Sequence, residues 1–186
     1  ARTGLARRFI PGQPGGMHCL TGLAHDRKSG VAYEPDINQE GLLNRSLKLA
    51  ALQKTLKTPS VHGDGEGDLL IVGWGSTKGA IEEAVDRLRG EGCKVSSLHL
   101  KFIQPMPSGI GDIMGNFTKV LTVENNWSDT LEHELIDHDN RRYSELAWLL
   151  RARHLIDVDC WSEVRGQPIK PGAIVRVVRD RLQAKG

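Results

Sequence analysis

Residues 68–90 constrain the possible fold of this chain more than any other stretch. It opens with an apolar run at residues 69–72, which is typical of a strand buried on both faces. The chain then turns through two glycines around Trp74, and Ser76 or Thr77 is placed to cap a helix. Beyond the turn, apolar residues recur at the spacing of one helical face, namely Ala80, Ile81, Ala84, Val85 and Leu88. The pattern predicts a strand, a tight turn and an amphipathic helix.

A second strand is expected directly after this helix. Gly90 and Gly92 should stop the helix, and residues 94–100 then have the apolar content of a strand. The resulting βαβ unit should place both strands parallel in one sheet. On the solvent side of the helix, Glu83 and Arg87 lie four residues apart and are expected to pair.

The remaining sequence continues this alternation of strands and helices. Two more strands are predicted at residues 119–124 and 155–160. Helices are predicted after Ser108, from residues 128–129 onward, over residues 140–150 and from Pro171 to near the end. Such alternation indicates an α/β fold in three layers, with a mainly parallel sheet and helices on both faces.

The first third of the chain has a different character. Residues 1–41 are rich in turn-forming residues and lack periodic apolar positions, which predicts an extended arm. Residues 40–56 place Leu43, Leu47 and Ala50 on one face and predict a helix, and residues 58–67 have the composition of a linker. We therefore divide the chain into an arm, helix and linker at residues 1–67 and an α/β domain at residues 68–186.

Size, charge and cysteine content narrow the functional classes. A chain of 186 residues can bury about 70 % of its unfolded surface without disulfides or metals. A net charge of +2 favours neither a nucleic-acid nor an acidic partner. Three scattered cysteines suit a reducing cytoplasm, and no apolar run approaches the ~20 residues that span a bilayer. Because the chain begins at Ala1 without a methionine, we expect a fragment or a trimmed chain.

The turn after the first strand is one candidate ligand site. Glycines and hydroxyls at the start of a helix can bind an anion, since the first helical amides lack internal partners. The candidate residues are Gly75, Ser76, Thr77 and Lys78. The turn has neither the Walker order of Gly-Lys-Ser/Thr nor GxGxxG spacing. A tight turn that packs the helix on the sheet therefore remains the competing interpretation.

A second candidate lies at the end of the strand at residues 119–124. Glu124, Asn125 and Asn126 fall at the carboxyl edge of the sheet, where open α/β folds gather ligands. These side chains either anchor a partner or a cofactor, or they cap the next helix and fix the crossover turn. The sequence leaves both roles open.

No metal site and no catalytic residue is assigned. His133 and His138 resemble a zinc-binding pair, but five residues on a helix separate side chains by about 140°, too far for one ion. The other histidines show no ligand spacing and are expected to be hydrogen-bonded structural groups. No serine or cysteine triad falls on the predicted strand ends.

Several segments, taken together, resemble the α subunit of the 2-oxoacid:ferredoxin oxidoreductases, especially the 2-oxoglutarate type. The match is closest at residues 69–89. Further segments follow the family's order, namely residues 21–26 (Thr-Gly-Leu-Ala-His-Asp, with Ala24 in place of the usual glutamate), residues 44–49, residues 97–107, residues 123–126 and residues 166–171. Residues 127–130 depart from the family's aromatic-Ser/Gly-Gly-Gln-Leu pattern.

The resemblance implies that residues 68–186 form a domain similar to the transketolase C-terminal domain, preceded by the tail of a pyrimidine-binding thiamine domain. The whole enzyme decarboxylates a 2-oxoacid on thiamine diphosphate with magnesium, passes electrons through an iron–sulfur cluster to ferredoxin and makes an acyl-CoA. The family places most cofactor ligands on the β subunit, so a hetero-oligomer is implied and this chain is expected to bind no cofactor alone.

Two functions of different classes follow. The first is a domain for subunit docking and active-site shaping in such an enzyme, with no bond-making residue of its own. The second is a regulatory domain that binds a small molecule or nucleotide at residues 73–79. The C-terminal domain of a transketolase or of a dehydrogenase E1 component shares the expected fold and is a third possibility.

Overall fold

A computed structural model of the chain describes residues 5, 8–18, 20–130 and 133–183. The chain divides into two compact units. The first, called here the N-terminal unit, is Ala1–Lys57 with Gln104–Met106, and the second, called here the sheet unit, is Thr58–Ile103 with Pro107–Gly186.

The N-terminal unit contains one long helix, α1 (Pro35–Gln53). It begins five residues before the predicted start, because Pro35 lies in its first turn, where a missing N–H costs nothing. None of its residues is fully buried. Its leucines are all more than a third exposed, namely Leu42, Leu43, Leu47, Leu49 and Leu52. In the described part of residues 1–34, the backbone forms turns and an isolated bridge between His25 and Val31, with no helix or strand before α1.

The sheet unit contains the remaining elements. These are β1 (Val61–His62), β2 (Gly67–Trp74), a 3₁₀ turn (Gly75–Thr77), α2 (Lys78–Gly90), β3 (Val95–Leu100), α3 (Ile110–Gly115), β4 (Phe117–Glu124), α4 (Glu145–His154), β5 (Asp159–Ser162) and α5 (Pro171–Gln183). The strands lie in the order β1-β3-β2-β4-β5. Strands β3, β2, β4 and β5 run parallel, and the short β1 pairs antiparallel with β3 at one edge. The predicted α/β class and its mainly parallel sheet are confirmed.

Helices cover both faces of this sheet. On one face, Leu69 and Ile71 of β2 pack with Leu121 and Val123 of β4 against buried residues of α2 and α5. Since side chains alternate along a strand, the neighbouring residues of β2 and β4 point to the opposite face. There the Thr122 hydroxyl lies 3.3 Å from that of Ser144, the residue that precedes α4. The three-layer prediction is therefore also confirmed.

Three local predictions are wrong. Neither Ser76 nor Thr77 caps α2, because the Thr77 hydroxyl instead donates back to the Trp74 carbonyl at 2.8 Å. No helix begins at residues 128–129; in the described parts of residues 125–144, side-chain hydrogen bonds organise a loop, and α4 starts only at Glu145. β5 starts at Asp159, four residues later than expected, since α4 runs on to His154 and Leu155 caps it in the left-handed conformation, which is incompatible with a strand.

Other local predictions are confirmed. α2 ends at Gly90, and Gly92 follows with a positive φ of 87°. Arg87 donates to the Glu83 carboxylate on the solvent face of α2. Pro171 is the first residue of α5. Within the described residues, no helix combines the length and the apolar content needed to cross a membrane.

Candidate functional site at the carboxyl edge of the sheet

The two predicted ligand sites lie at adjacent strand ends. From β2 the chain crosses to β3 on one side, and from β3 it returns to β4 on the other side of β2. The strand order therefore reverses between β2 and β4, which is where open α/β sheets form ligand crevices. The turn that follows β2 and the residues that close β4 both lie at this switch point.

The turn after β2 is compact and already bonded internally. Gly75 adopts a φ of +63°, a conformation that favours glycine, and the exposed Ser76 follows it. The Lys78 ammonium reaches one turn forward along α2 and donates to both carboxylate oxygens of Glu82 at 2.6 Å. The positive charge expected to attract an anion is thus compensated within its own helix. An anion at this turn stays a prediction.

Gly73, the last buried residue of β2, explains why the turn can be so tight. A Cβ atom added there would lie 2.3 Å from Cδ1 of Ile81 and 2.8 Å from Oγ1 of Thr77. Both side chains are buried, so neither has room to move away. The absent side chain lets the first turns of α2 pack directly on the end of β2.

At the end of β4, Glu124 is fully buried and caps α4. Its carboxylate accepts hydrogen bonds from the Ser144 hydroxyl at 2.5 Å and from the backbone N–H groups of Leu146 and Ala147 at 3.0 and 3.3 Å. The Asn126 side-chain amide donates a further bond at 3.1 Å. An anion among the free amides of a helix start is stabilised by their partial positive charge. The capping role is therefore present, while a ligand at Glu124, Asn125 or Asn126 stays a prediction.

His99, near the end of β3, is a polar group that the sequence did not single out. Its Nδ1 is buried and has no hydrogen-bond partner among the described residues, so the expectation of a hydrogen-bonded imidazole is wrong at this atom. Burial lowers its pKa most, the charges of Lys78 and Lys101 lower it further, and Glu82 opposes them. Burial and the two lysine charges therefore favour the neutral form of the imidazole. By contrast, the expectation is confirmed for His62, whose ring contacts the Asp86 carboxylate at 2.7 Å.

A polar cluster that the sequence missed lies along the outer edge of β5, in a cleft of about 880 Å³. Arg141 pairs with Asp159 at 2.9 Å and donates to the Cys160 carbonyl at 2.9 Å. Arg181 donates to the same aspartate at 2.5 Å. The pKa of Asp159 is lowered: burial alone would raise it, but the two arginines and a backbone N–H together outweigh burial. The bond to Cys160 supplies a partner for a backbone carbonyl of the edge strand β5.

The loop before α4 is closed by one aspartate. Asp129 accepts two side-chain bonds from Arg142 at 2.9 Å each, one from the Arg142 backbone N–H at 3.0 Å and one from the Trp127 indole at 2.9 Å. These bonds, foremost those from Arg142, hold its pKa far below the ordinary value. No sequence signal pointed to this pair, because its partners lie 13 positions apart in the chain and at no helical or strand spacing.

The histidines that resembled a zinc pair lie in turns. His133 accepts a bond from the Leu135 N–H at 3.2 Å, and neither it nor His138 belongs to a helix. Among the described residues there is no group of three or more side chains able to hold a metal ion.

Comparison with known proteins identifies the family. Residues 67–155 match the pyruvate:ferredoxin oxidoreductase core domain II. The chain is 32 % identical, over 99 % of its length, to the 2-oxoglutarate oxidoreductase subunit KorA of Mycobacterium tuberculosis. The chain belongs to the 2-oxoacid:ferredoxin oxidoreductase family. It is also 26 % identical, over 86 % of its length, to subunit alpha of the 2-oxoacid:ferredoxin oxidoreductase 2 of Aeropyrum pernix.

A solved structure from the same family has the same fold. The 2-oxoglutarate:ferredoxin oxidoreductase of Magnetococcus marinus, solved with 2-oxoglutarate, coenzyme A and succinyl-CoA bound, superposes on 98 % of this chain with a TM-score of 0.75 at 27 % identity. The chain spans about a quarter of the curated family members, 26 % of KorA and 24 % of the Aeropyrum subunit, and 30 % of the Magnetococcus chain. The family resemblance seen in the sequence is confirmed, and the likeness to the transketolase C-terminal domain stays a prediction.

Proposed function

We propose that this chain is part of the α subunit of a thiamine-dependent 2-oxoacid:ferredoxin oxidoreductase. In this role it docks subunits and shapes an active site whose reacting groups lie elsewhere. The observation that carries the proposal is the alignment with KorA, which runs along nearly the whole chain and includes the arm and α1 as well as the sheet unit. The same architecture in the Magnetococcus enzyme supports it.

The proposed reaction is the oxidative decarboxylation of 2-oxoglutarate or a related 2-oxoacid. The carbon–carbon bond to the carboxylate breaks and releases carbon dioxide, an electron pair passes one electron at a time to oxidised ferredoxin, and the acyl group joins the coenzyme A thiol with loss of its proton. Thiamine diphosphate with magnesium would supply the electron sink for decarboxylation, and an iron–sulfur cluster would carry the electrons. We assign the ligands of these groups to a β subunit, in a hetero-oligomer of the cytoplasm.

The surface of α1 supports a docking role. A helix with apolar residues on more than one side needs cover from other structure. Leu43 and Leu47 lie on one side of α1, and Leu42 and Leu49 on another, yet all four are more than a third exposed. We propose that residues 1–67 are the tail of a pyrimidine-binding thiamine domain, that the rest of this domain covers these leucines, and that residues 68–186 form a separate α/β domain similar to the transketolase C-terminal domain.

The alternative is a regulatory domain that binds an anionic small molecule or nucleotide at Gly75, Ser76, Thr77 and Lys78. The position of this turn at the switch point favours it. The Lys78–Glu82 contacts weigh against it, because an anion would have to displace a carboxylate from the ammonium.

One reconstitution experiment distinguishes the docking function from the regulatory alternative. The full-length subunit is purified alone and together with its partner subunit, and viologen or ferredoxin reduction is measured with 2-oxoglutarate and coenzyme A. We expect reduction that requires both subunits and both substrates. In the assembled enzyme, Lys78→Ala is expected to leave the KM for coenzyme A within about twofold.

Two results would contradict the proposal. An isolated subunit that turns over a 2-oxoacid unaided would place the reacting groups on this polypeptide. A subunit that binds a nucleotide or coenzyme A alone at micromolar concentration, and loses it on Lys78→Ala but not on the matched exposed change Lys94→Ala, would establish the regulatory alternative.

A further inference from the structure

Helix α4 presents an apolar face to solvent. Its inner face is buried through Leu146, Ala147 and Leu150. On the outer side, Trp148, Ala152 and Leu155 follow one another at positions i, i+4 and i+7 and are all exposed, Trp148 by 52 % and Leu155 by 90 %. The four-residue spacing places Trp148 and Ala152 on one side of α4, and Leu155 follows the last helical residue as the C-cap. We call these three residues the α4 stripe.

Leu155 is unfavourable for the fold in two respects. Its φ of 54° and ψ of 38° place it in the left-handed region, where glycine is the favoured residue at a helix end. Its N–H closes the helix by donating to the Arg151 carbonyl at 2.9 Å, a bond that glycine would make equally well. The fold gains nothing from a leucine side chain that is 90 % exposed. A strained residue kept at such a position indicates a role outside the folded chain itself.

Trp148 is held in place before any partner arrives. Its ring meets that of Tyr143 edge-on, with centroids 5.5 Å apart and planes at 64°. Tyr143 in turn lies between the guanidinium groups of Arg141 and Arg151, each 4.7 Å from its ring centroid. A side chain fixed in this way loses little entropy on binding, and tryptophan is among the residues that dominate interface energies.

The charge beside the stripe restricts what can cover it. Residues 141–155 contain four arginines and one glutamate, a net +3 in a chain whose total is +2. Three of these arginines already have acidic partners, since Arg141 pairs with Asp159, Arg142 with Asp129 and Arg151 with Asp157. Arg153, exposed and two residues before Leu155, has no ion pair in the described part of the chain. A complementary surface therefore needs an apolar groove with a carboxylate at its rim.

We propose that the α4 stripe docks into such an acidic-rimmed apolar groove on another polypeptide subunit of the enzyme. Trp148 and Leu155 fill the groove, and Arg153 pairs with the carboxylate at its edge. This inference rests on the proposed function, because it assumes an assembly of unlike subunits.

The test uses the full-length subunit and the purified second subunit that assembles with it, with Kd measured by titration and Tm measured on the unbound full-length subunit. Leu155→Asn keeps a residue that tolerates the left-handed conformation but removes the apolar side chain. We expect Kd to rise at least about tenfold while Tm stays equal or increases. Leu155→Gly should raise Kd similarly and increase Tm by a few degrees. Arg153→Glu should raise Kd and reverse its dependence on salt.

Leu135→Asn is the matched control, since Leu135 is a 73 % exposed leucine outside the stripe. The Kd of this variant for the second subunit should stay within about twofold of the parent value. An unchanged Kd in both Leu155 variants overturns the inference even when the enzyme assembles and turns over. Self-association of the parent subunit that Leu155→Asn abolishes overturns the choice of partner. A parent subunit that binds no second subunit refutes the proposed function together with this inference.

Discussion

Asp129 and Arg142 are joined by two side-chain hydrogen bonds of 2.9 Å, and the backbone N–H of each residue adds a further bond to the other. The aspartate is 6 % exposed, whereas the arginine side chain is 72 % exposed. A paired carboxylate thus sits inside the loop, and the guanidinium closes it from outside. This pair therefore organises the segment in which the sequence predicted a helix from residues 128–129 onward.

Replacing this aspartate should weaken the sheet unit in a pH-dependent manner. Because Arg142 lowers the pKa of Asp129 in the folded chain, the pair stabilises the fold above the unfolded pKa of about 3.8, and the contribution fades as pH falls below that value. Asp129→Asn is therefore expected to lower Tm at pH 7 and to lower it less at pH 3. Thermal unfolding followed by circular dichroism measures both. Asp157→Asn, at a 92 % exposed ion pair, serves as the control and should change little. An equal loss at both pH values would contradict a role for the charge.

Glu124→Gln tests the buried cap of α4. The glutamine keeps the shape of the side chain, but one of its atoms becomes an NH₂ group that faces the Ser144 hydroxyl or the Leu146 N–H. Loss of a charged, buried acceptor should cost about 2–3 kcal/mol, which urea unfolding would detect. Glu145→Gln changes an exposed glutamate in the first turn of the same helix and should cost less than about 1 kcal/mol. Equal costs for the two variants would show that burial of the carboxylate is unimportant.

A pair of glycine substitutions tests the turn after β2. Gly73→Ala should destabilise the chain by roughly 1–3 kcal/mol, because the added methyl meets Ile81 and Thr77 in a filled core. Gly79→Ala, six residues later, meets no atom within 4 Å and lies inside a helix, so it should stabilise by up to about 1 kcal/mol. Chemical denaturation of both variants gives the comparison. Destabilisation by Gly79→Ala would indicate that the turn is constrained by something other than packing.

The titration of His99 should respond in opposite directions to two neighbouring changes. The Lys78 charge lowers the pKa of His99 and the Glu82 charge raises it. Lys78→Ala is therefore expected to raise this pKa, and Glu82→Gln to lower it, as followed by NMR of the imidazole. Since the folded pKa lies below the unfolded value of 6.5, His99 favours the unfolded chain as pH falls below 6.5. A His99→Gln variant should accordingly lose less stability between pH 7 and pH 5 than the parent chain.

Packing patterns allowed most of the sheet to be predicted from the sequence. The run from Leu69 to Val72 is uniformly apolar because both faces of β2 are covered, and such a run has few alternatives in an α/β chain. The regular spacing of apolar residues likewise predicted the buried face of α2, where Ile81, Ala84 and Leu88 are all buried. Errors occurred where side chains bond to the backbone, as at Thr77, because such bonds give no periodic signal.

The sequence by itself therefore determined the layers of this protein, the family to which it belongs and the strand ends at which Lys78 and Glu124 lie. Lys78 finds Glu82 within its own helix, four residues on. Only the tertiary structure decided the other partners, because it buried Glu124 under the start of α4 and brought Asp129 to Arg142. The physical reason is the separation of the partners along the chain. Apolar periodicity can be read from residues that are close in sequence. A long-range hydrogen bond or ion pair depends on partners that only the folded chain brings within about 3 Å.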